Sequence, residues 1–316
     1  MSELEHFKKS IDLRSFAASR GYVRDKRESS ENCAVMRAPN GDKIVIIVAQ
    51  KSGDWVYYSV RDDRDNGTII DFLQWRGGGS LGEVRKTLRA WSGGSVKHED
   101  FGPPLLPVSR DRGAVLTAWG RATPCVSLPY LTSRGLGPEV LGLPNFLDRV
   151  RVDQRGNALF PHFDGAGLCG FEIKNQGFTA FSPGGTKGLW FSLTVGEVKS
   201  LVITESAIDA LSFHILNGME GARYMSTGGA LNPLQPALLR GAMEKLPPGA
   251  LVLLAFDRDN GGEKLADAVR AVAPSSAELR RVHPPEGMGK DWNDYLKLTR
   301  GLARAPGSTD VPRPGF

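Results

Sequence analysis

The clearest pattern along the chain is an apolar run that ends in an acidic residue and then changes to helical spacing. Residues 201–204 are apolar or β-branched and lead into Glu205, after which apolar residues recur at helical spacing until the Asn-Gly pair at 217–218. Residues 251–256 form a second apolar run that also leads into acidic residues. The two βα units predict an α/β fold with a parallel sheet, whose carboxyl edge carries the acidic groups.

The second run leads into Asp257, Asp259 and two glycines, with a helix predicted from Glu263. Residues two apart share a face if the strand extends through them. Oxygen ligands alone suit Mg²⁺ or Mn²⁺, and metal held by carboxylates serves phosphoryl transfer. A DxD pair by itself is more often a solvated loop or a helix cap. The upstream run that ends at Glu205 makes a divalent-metal site the stronger interpretation.

Three motifs in this part of the chain resemble the Toprim domain shared by DnaG-type primases, topoisomerases and some nucleases. LVITESAIDALS, which includes Glu205, is similar to its first motif, and LLAFDRDNGGEKLA is similar to its DxD motif. The glycines of RYMSTGGA, Gly228 and Gly229, resemble the turn after its second strand. Lys290 and Asp291 resemble a lysine-aspartate signature of primase-type Toprim proteins. The resemblance implies a Toprim domain over residues 199–300.

The resemblance also implies roles for the acidic residues. Glu205, Asp257 and Asp259 would be the catalytic residues and would bind Mg²⁺ or Mn²⁺. Glu205 would act as a metal ligand or as the general base for a primer 3′-hydroxyl. Asp209 fits the primase-like form of the first motif, so it either extends the metal site or caps its helix.

A second set of motifs resembles the basic subdomain of DnaG-type catalytic cores. YLTSRGLGPEVLGLPNF, NALFPHFDGAGLCGFEIKN and FTAFSPGGTKGLWFS occur in that order within residues 113–198. The second of these motifs resembles two primase strands, joined here by a hairpin turn at residues 164–167. The domain that precedes Toprim in plasmid and relaxase-associated proteins, of the DUF3991 type, is also similar. The α+β subdomain so implied would bind single-stranded DNA and nucleoside triphosphates. The candidate contacts are Arg134, Lys174, Lys187, Gly228, Gly229, Lys290 and Asp291.

Residues 1–92 resemble a small α+β primase zinc-binding domain that lacks its ligands. Only Cys33 is a cysteine there, and Met36, Ser59 and Asp62 occupy the other expected places. Because structural zinc needs four soft or borderline ligands, we expect no zinc. The Gly- and Pro-rich residues 93–112 predict a linker, and residues 301–316 predict a disordered tail.

Composition changes this interpretation little. The chain has 316 residues, a formal net charge of +5 and 41% hydrophobic residues, which suits two or three domains with some attraction for polyanions. Three scattered cysteines predict no disulfide framework, and the histidines, including His162, lack ligand spacing and are expected to be structural. No signal-peptide core and no apolar run of roughly 18 residues is present, so we expect a cytoplasmic protein without a membrane span.

Three functions compete at this point. The first is a primase-like nucleotidyltransferase of a plasmid, phage or integrative element, acting on single-stranded DNA with nucleoside triphosphates. The second is a metal-dependent nuclease, because the same acidic cluster serves phosphodiester hydrolysis in other Toprim proteins. The third is a catalytically silent DNA-binding protein that assists a relaxase or helicase. A topoisomerase is disfavoured because the chain is short and shows no tyrosine-bearing cleavage domain.

Overall fold

The fold consists of two compact units, Met1–Ser109 and Arg110–Phe316. The structure is a computed structural model, which describes residues 2–50, 52–60, 65–94, 99–106 and 109–303. None of the helices in these ranges combines the length and apolar character that a membrane crossing requires. The boundary between the units falls inside the predicted linker at 93–112. Most of the predicted tail lies outside the described residues.

The N-terminal unit is an antiparallel five-stranded sheet in the order β1-β2-β3-β4-β5, packed with four helices. Its core forms where alternating strand residues such as Ile44 and Ile46 meet the apolar faces of the helices. Thr68 and Ser80 begin the third and fourth helices with capping boxes. The elements are α1 (Glu3–Ser10), α2 (Leu13–Ser19), β1 (Val23–Arg24), β2 (Cys33–Arg37), β3 (Lys43–Val48), β4 (Trp55–Ser59), β5 (Asn66–Thr68), α3 (Ile69–Gly77) and α4 (Leu81–Gly93).

The residues that stand at the expected zinc-ligand places lie on different rows of this sheet. Met36 and Ser59 share a row through Ile44, whereas Cys33 pairs with Ile47, three residues further along the strands. Three residues of strand correspond to about 10 Å. Asp62 lies outside the described residues. The absence of zinc stays a prediction, and the register separates Cys33 from the other two described places.

A buried arginine network supports one end of this unit. Arg76 on α3 donates to both carboxylate oxygens of Asp65 at 2.8 Å and to Asp42 at 2.9 Å, and it lies 4.4 Å from the Phe72 ring. The Asp65 side chain is only 6% exposed. Because a buried carboxylate needs a paired cation, Arg76 is expected to be essential for the stability of this unit.

Part of the predicted linker packs onto the N-terminal unit. Leu105 is buried in its core, and the carbonyl of Pro103 accepts from both terminal nitrogens of Arg14 at 3.2 Å. The backbone N–H of Leu106 also donates to Glu31. Residues 99–106 are therefore part of this unit, because one apolar side chain and two backbone groups find partners there.

The C-terminal unit contains two five-stranded sheets, in the orders β10-β9-β8-β7-β6 and β11-β13-β12-β14-β15. The first is antiparallel and includes the predicted hairpin, in which Asp164 pairs with Gly167. The elements are α5 (Arg112–Arg121), β6 (Thr123–Pro124), α6 (Pro129–Ser133), α7 (Pro138–Leu141), β7 (Arg151–Val152), β8 (Ala158–Asp164), β9 (Gly167–Asn175), β10 (Phe178–Phe181), β11 (Trp190–Phe191), β12 (Ser200–Thr204), α8 (Ala207–Asn217), β13 (Ala222–Ser226), α9 (Gln235–Glu244), β14 (Leu251–Leu254), α10 (Asn260–Val272), β15 (Glu278–Arg281) and α11 (Trp292–Thr299).

The second sheet confirms the predicted α/β architecture. Strands β13, β12, β14 and β15 run parallel, and β11 joins the edge in the antiparallel direction. Val202 packs toward α8 and α11 on one face, while Ile203 packs toward α9 and α10 on the other. Ile203 also pairs with Leu254, which aligns the carboxyl ends of β12 and β14. Acidic residues that follow these two strands are thereby placed on neighbouring loops.

Candidate active site

Glu205 follows β12 directly and is tied to the neighbouring glycine turn. Its backbone carbonyl accepts from the N–H of Gly229 at 3.1 Å, and Ser206 then begins α8 by accepting from Asp209 N. Burial and the Asp259 carboxylate raise the pKa of the Glu205 carboxyl, while Lys290 opposes them. Glu205 therefore lies in a partly desolvated, negatively charged environment.

Asp257 and Asp259 take different roles although both follow β14. Asp257 is buried, and burial together with Asp209, Glu205 and further carboxylates raises its pKa to about 8. Asp259 accepts from the N–H of Gly262 at 2.9 Å as the N-cap of α10, and this bond lowers its pKa. The helix consequently begins at Asn260 rather than at the predicted Glu263, because the Asp259 side chain closes its first turn.

Lys290 brings positive charge between the two aspartates. Its Nζ lies 3.4 Å from Asp257 Oδ2 and 3.6 Å from Asp259 Oδ2. Burial lowers the pKa of Lys290, but Asp257 and Asp259 outweigh it and raise the pKa overall. The side chain is 60% exposed, so a competing cation can reach the same carboxylates from solvent.

The donor set fits Mg²⁺ or Mn²⁺ by its chemistry. Glu205, Asp257 and Asp259 offer only hard carboxylate oxygens, and the ammonium of Lys290 marks a place where positive charge is stabilised. As the side chains stand, no three acidic, histidine or cysteine residues in the described part of the chain converge closely enough to hold a metal ion. The carboxylates would have to close on the ion when it binds.

Asp209 and Asp291 are engaged in local hydrogen bonds. The carboxylate of Asp209 accepts from the Asn293 N–H at 3.2 Å and from the Ser206 hydroxyl at 2.5 Å. Burial and Asp291 raise the pKa of Asp209 to about 7. Asp291 caps α11 by accepting from Asp294 N at 2.6 Å. Both carboxylates are therefore engaged in hydrogen bonds next to the metal-binding candidates. A metal-ligand role for Asp209 would require it to break its bonds to Asn293 and Ser206.

The candidate phosphate-binding residues divide into two groups. Lys187 and Lys174 influence the pKa of Glu205, so they border the acidic site. Lys187 donates to the carbonyl of Ala230 at 2.6 Å, directly after the glycine turn. Arg134 instead donates to the side chain of Asn293 at 3.3 Å, so its described bonds are internal.

Two residues that the sequence patterns did not single out also border the glycine turn. A Cβ on Gly228 would lie 2.8 Å from the ring of His162 and 2.9 Å from Glu172 Oε1. Both residues are buried. They occupy positions that the primase-like hairpin pattern leaves open, so the motif offered no signal for them.

Comparisons with known proteins agree with this architecture. Residues 202–296 match the family model described as Toprim-like, and residues 129–198 match the model described as a protein of unknown function (DUF3991). A curated 65 kDa protein of Zymomonas mobilis is 33% identical over 192 residues, which cover 55% of this chain and 31% of that protein. The chain thus spans about a third of the length of this relative.

Two solved structures show a more distant similarity. The primase fragment of the bacteriophage T7 primase-helicase protein is 16% identical, with 68% of this chain and 81% of that chain covered and a TM-score of 0.41. The RNA polymerase domain of Mycobacterium tuberculosis primase DnaG, in complex with a DNA oligomer, is 20% identical, with 54% and 59% covered and a TM-score of 0.30. The Toprim-like match of residues 202–296 rests on the sequence comparison, and what this region does depends on its own residues.

Proposed function

We propose that this chain is a primase-like nucleotidyltransferase that requires Mg²⁺ or Mn²⁺ and acts on single-stranded DNA with nucleoside triphosphates. The observation that carries the proposal is the placement of Glu205, Asp257 and Asp259 on neighbouring loops at one sheet edge. Asp259 raises the pKa of Glu205, Glu205 raises the pKa of Asp257, and Lys290 lies between Asp257 and Asp259. The carboxylates outnumber the ammonium of Lys290 that lies between two of them, and a divalent cation would supply the missing positive charge.

The acidic residues of the site would bind the metal, and the basic residues would bind phosphate. Glu205, Asp257 and Asp259 would hold the metal, which when bound neutralises phosphate oxygens and orients them for displacement. Lys187 and Lys174 border the same site and would contact phosphate groups. Glu205 has a raised pKa, which also suits a carboxylate that accepts the proton of an attacking hydroxyl.

The Toprim-like match supports phosphoryl transfer as the class of reaction, and the primase-like hairpin region before it favours nucleotide addition over hydrolysis. A helicase or relaxase that acts beside the chain, in a plasmid, phage or integrative element, belongs to the same proposal.

The test is a gel assay with single-stranded DNA, labelled nucleoside triphosphates and Mg²⁺ or Mn²⁺. Wild type is compared with Glu205→Ala and with the matched control Glu220→Ala, whose side chain is 93% exposed. We expect labelled oligomers from wild type and from the control, and none from Glu205→Ala. Metal-dependent shortening of the DNA would replace the proposal with a nuclease. A mobility shift without either product would replace it with a binding protein.

A further inference from the structure

His162 on β8 and Glu172 on β9 are buried polar residues that the proposed chemistry does not use. His162 has no exposed surface, and the Glu172 side chain is 9% exposed. Among the described residues, neither the Nε2 atom of His162 nor the Oε2 atom of Glu172 has a hydrogen-bond partner, although Lys174 lies 3.5 Å from Oε2. Because unpaired buried polar atoms cost stability, a site that served packing alone would favour apolar side chains here.

Both residues lie beneath the glycine turn. Glu172 pairs with Phe160, two residues before His162, so the two side chains project from one face of the hairpin. The strand pairing shifts between His162 and Phe163, an irregularity that re-aims side chains. Gly228 has a φ of +65°, and a side chain there would collide with both residues. The turn therefore rests directly on the pair.

His162 also holds the segment that carries Lys187. Its Nδ1 lies 2.8 Å from the carbonyl oxygen of Gly188, and since a carbonyl only accepts, Nδ1 carries the proton. Gln235 donates to the same carbonyl at 2.8 Å and to the carbonyl of Thr227 at 2.7 Å. Gln235 thus links the Lys187 segment to the glycine turn. His162 contacts both, through the Gly188 carbonyl and through Gly228.

We propose that His162 is a positioning residue of the active site, which fixes Lys187 through the Gly188 carbonyl and fixes the glycine turn through Gly228. Lys187 then reaches the phosphates of a nucleoside triphosphate beside Glu205. The inference rests on the proposed function for the identity of that ligand. The placement of the two segments is independent of it.

Leucine and asparagine are close to the same shape, but only asparagine can donate to the Gly188 carbonyl, so His162→Leu and His162→Asn form a matched pair. Hydrogen exchange of the full chain is followed by mass spectrometry. In His162→Leu we expect amides in residues 184–189 and 226–230 to exchange about tenfold faster, the effect of one ordinary hydrogen bond. His162→Asn should exchange as wild type does. Equal exchange in both variants, or acceleration across the whole hairpin, overturns the positioning role.

Nucleotide binding then tests whether His162 affects nucleotide affinity by positioning Lys187. The affinity for a labelled nucleoside triphosphate is measured with Ca²⁺, a divalent ion chosen to limit turnover. We expect Lys187→Met to weaken binding about tenfold, as loss of a charged hydrogen bond would. His162→Leu should weaken binding less in the Lys187→Met background than in wild type, and it should be additive with Lys290→Met. Additivity with Lys187→Met overturns the proposal.

Two further outcomes separate this inference from the proposed function. If wild type binds no nucleoside triphosphate while exchange still changes in both segments, the positioning role stands and the proposed function fails. If His162→Leu does not fold, Gln235→Met takes its place, because it removes the other donor to the Gly188 carbonyl. Amides in residues 184–189 and 226–230 should then exchange faster. Unchanged exchange overturns the proposal that the hydrogen bonds to the Gly188 carbonyl hold both segments.

Discussion

The carboxyl group of Asp257 is expected to destabilise the folded chain at neutral pH, so Asp257→Asn should be more stable than wild type. Burial and the neighbouring carboxylates of Asp209, Glu205 and Asp291 raise its pKa to about 8. Lys290 opposes the shift from 3.4 Å, but its exposed ammonium does not cancel it. Asparagine keeps the shape of the side chain and has no charge to desolvate.

The magnitude follows from the difference in pKa between the folded and unfolded states. The ordinary value for this group is 3.8. Between the two pKa values the folded chain binds a proton that the unfolded chain has released, so stability falls as the pH rises from about 4 to about 8. Each pKa unit corresponds to about 1.4 kcal/mol. At pH 7 the carboxyl of Asp257 therefore lowers the free energy of unfolding by about 4 kcal/mol.

Thermal unfolding with a chelator present measures this effect across the pH range. We expect Asp257→Asn to raise the Tm of the C-terminal unit by about 10 °C near neutral pH, with a gain that shrinks steadily toward pH 4. Asp267→Asn is the matched control, because Asp267 is exposed on α10 and pairs with Arg270 on the surface of the same helix. Its unfolding free energy should change by less than about 0.5 kcal/mol.

The response to metal completes the test. Mg²⁺ or Mn²⁺ should raise the Tm of wild type, because a ligand that binds only the folded state stabilises it, and should raise that of Asp257→Asn much less. A Tm for Asp257→Asn at or below that of wild type throughout the pH range would refute the electrostatic reasoning. So would a gain that does not change with pH.

Four other substitutions and one metal analysis have definite expected outcomes. Gly262→Ala should cost about 3 kcal/mol of unfolding free energy, since its Cβ would lie 2.1 Å from a backbone carbonyl oxygen, whereas Gly241→Ala in open space should be neutral or stabilising. Arg76→Met should cost about 3 kcal/mol or more by leaving Asp65 buried and unpaired, measured by denaturant unfolding. Lys187→Gln should reduce the salt dependence of single-stranded DNA affinity by about one counterion. Metal analysis should find no zinc, and about one zinc per chain would contradict this.

The sequence was sufficient for the elements of the site that depend on local pattern. Glu205 follows β12 directly and Asp257 follows β14 after two residues, so the two apolar runs alone predicted both residues at one sheet edge. The predicted change to helical spacing after Glu205 is where α8 begins, with Ser206 accepting from Asp209 N. The α/β fold with a parallel sheet followed from the same βα pattern and is confirmed.

Contacts between distant parts of the chain could not be predicted from local pattern. Arg134 stays a candidate contact to nucleic acid, and its hydrogen bond to Asn293, 159 residues away, was not predictable from its own motif. Residues 99–106 were expected to be linker because of their glycine and proline content, yet Leu105 is buried in the core of the N-terminal unit. His162 was expected to be structural, and only the three-dimensional approach of Gly228 shows what it supports. In each case the deciding partner lies far along the chain.

Burial and mutual repulsion work against ionisation of the carboxyl groups at the acidic edge in the free chain. Asp209, Asp257 and Asp291 all have raised pKa values, with burial as the largest cause and further carboxylates adding to it in each. Lys290 is one ammonium against several carboxylates, and most of it lies in solvent. Like charges held together in a desolvated place destabilise a fold unless a positive ligand neutralises them. The same residues that lower the stability of the free chain would therefore increase its affinity for a divalent cation, which is the trade-off expected of an active site.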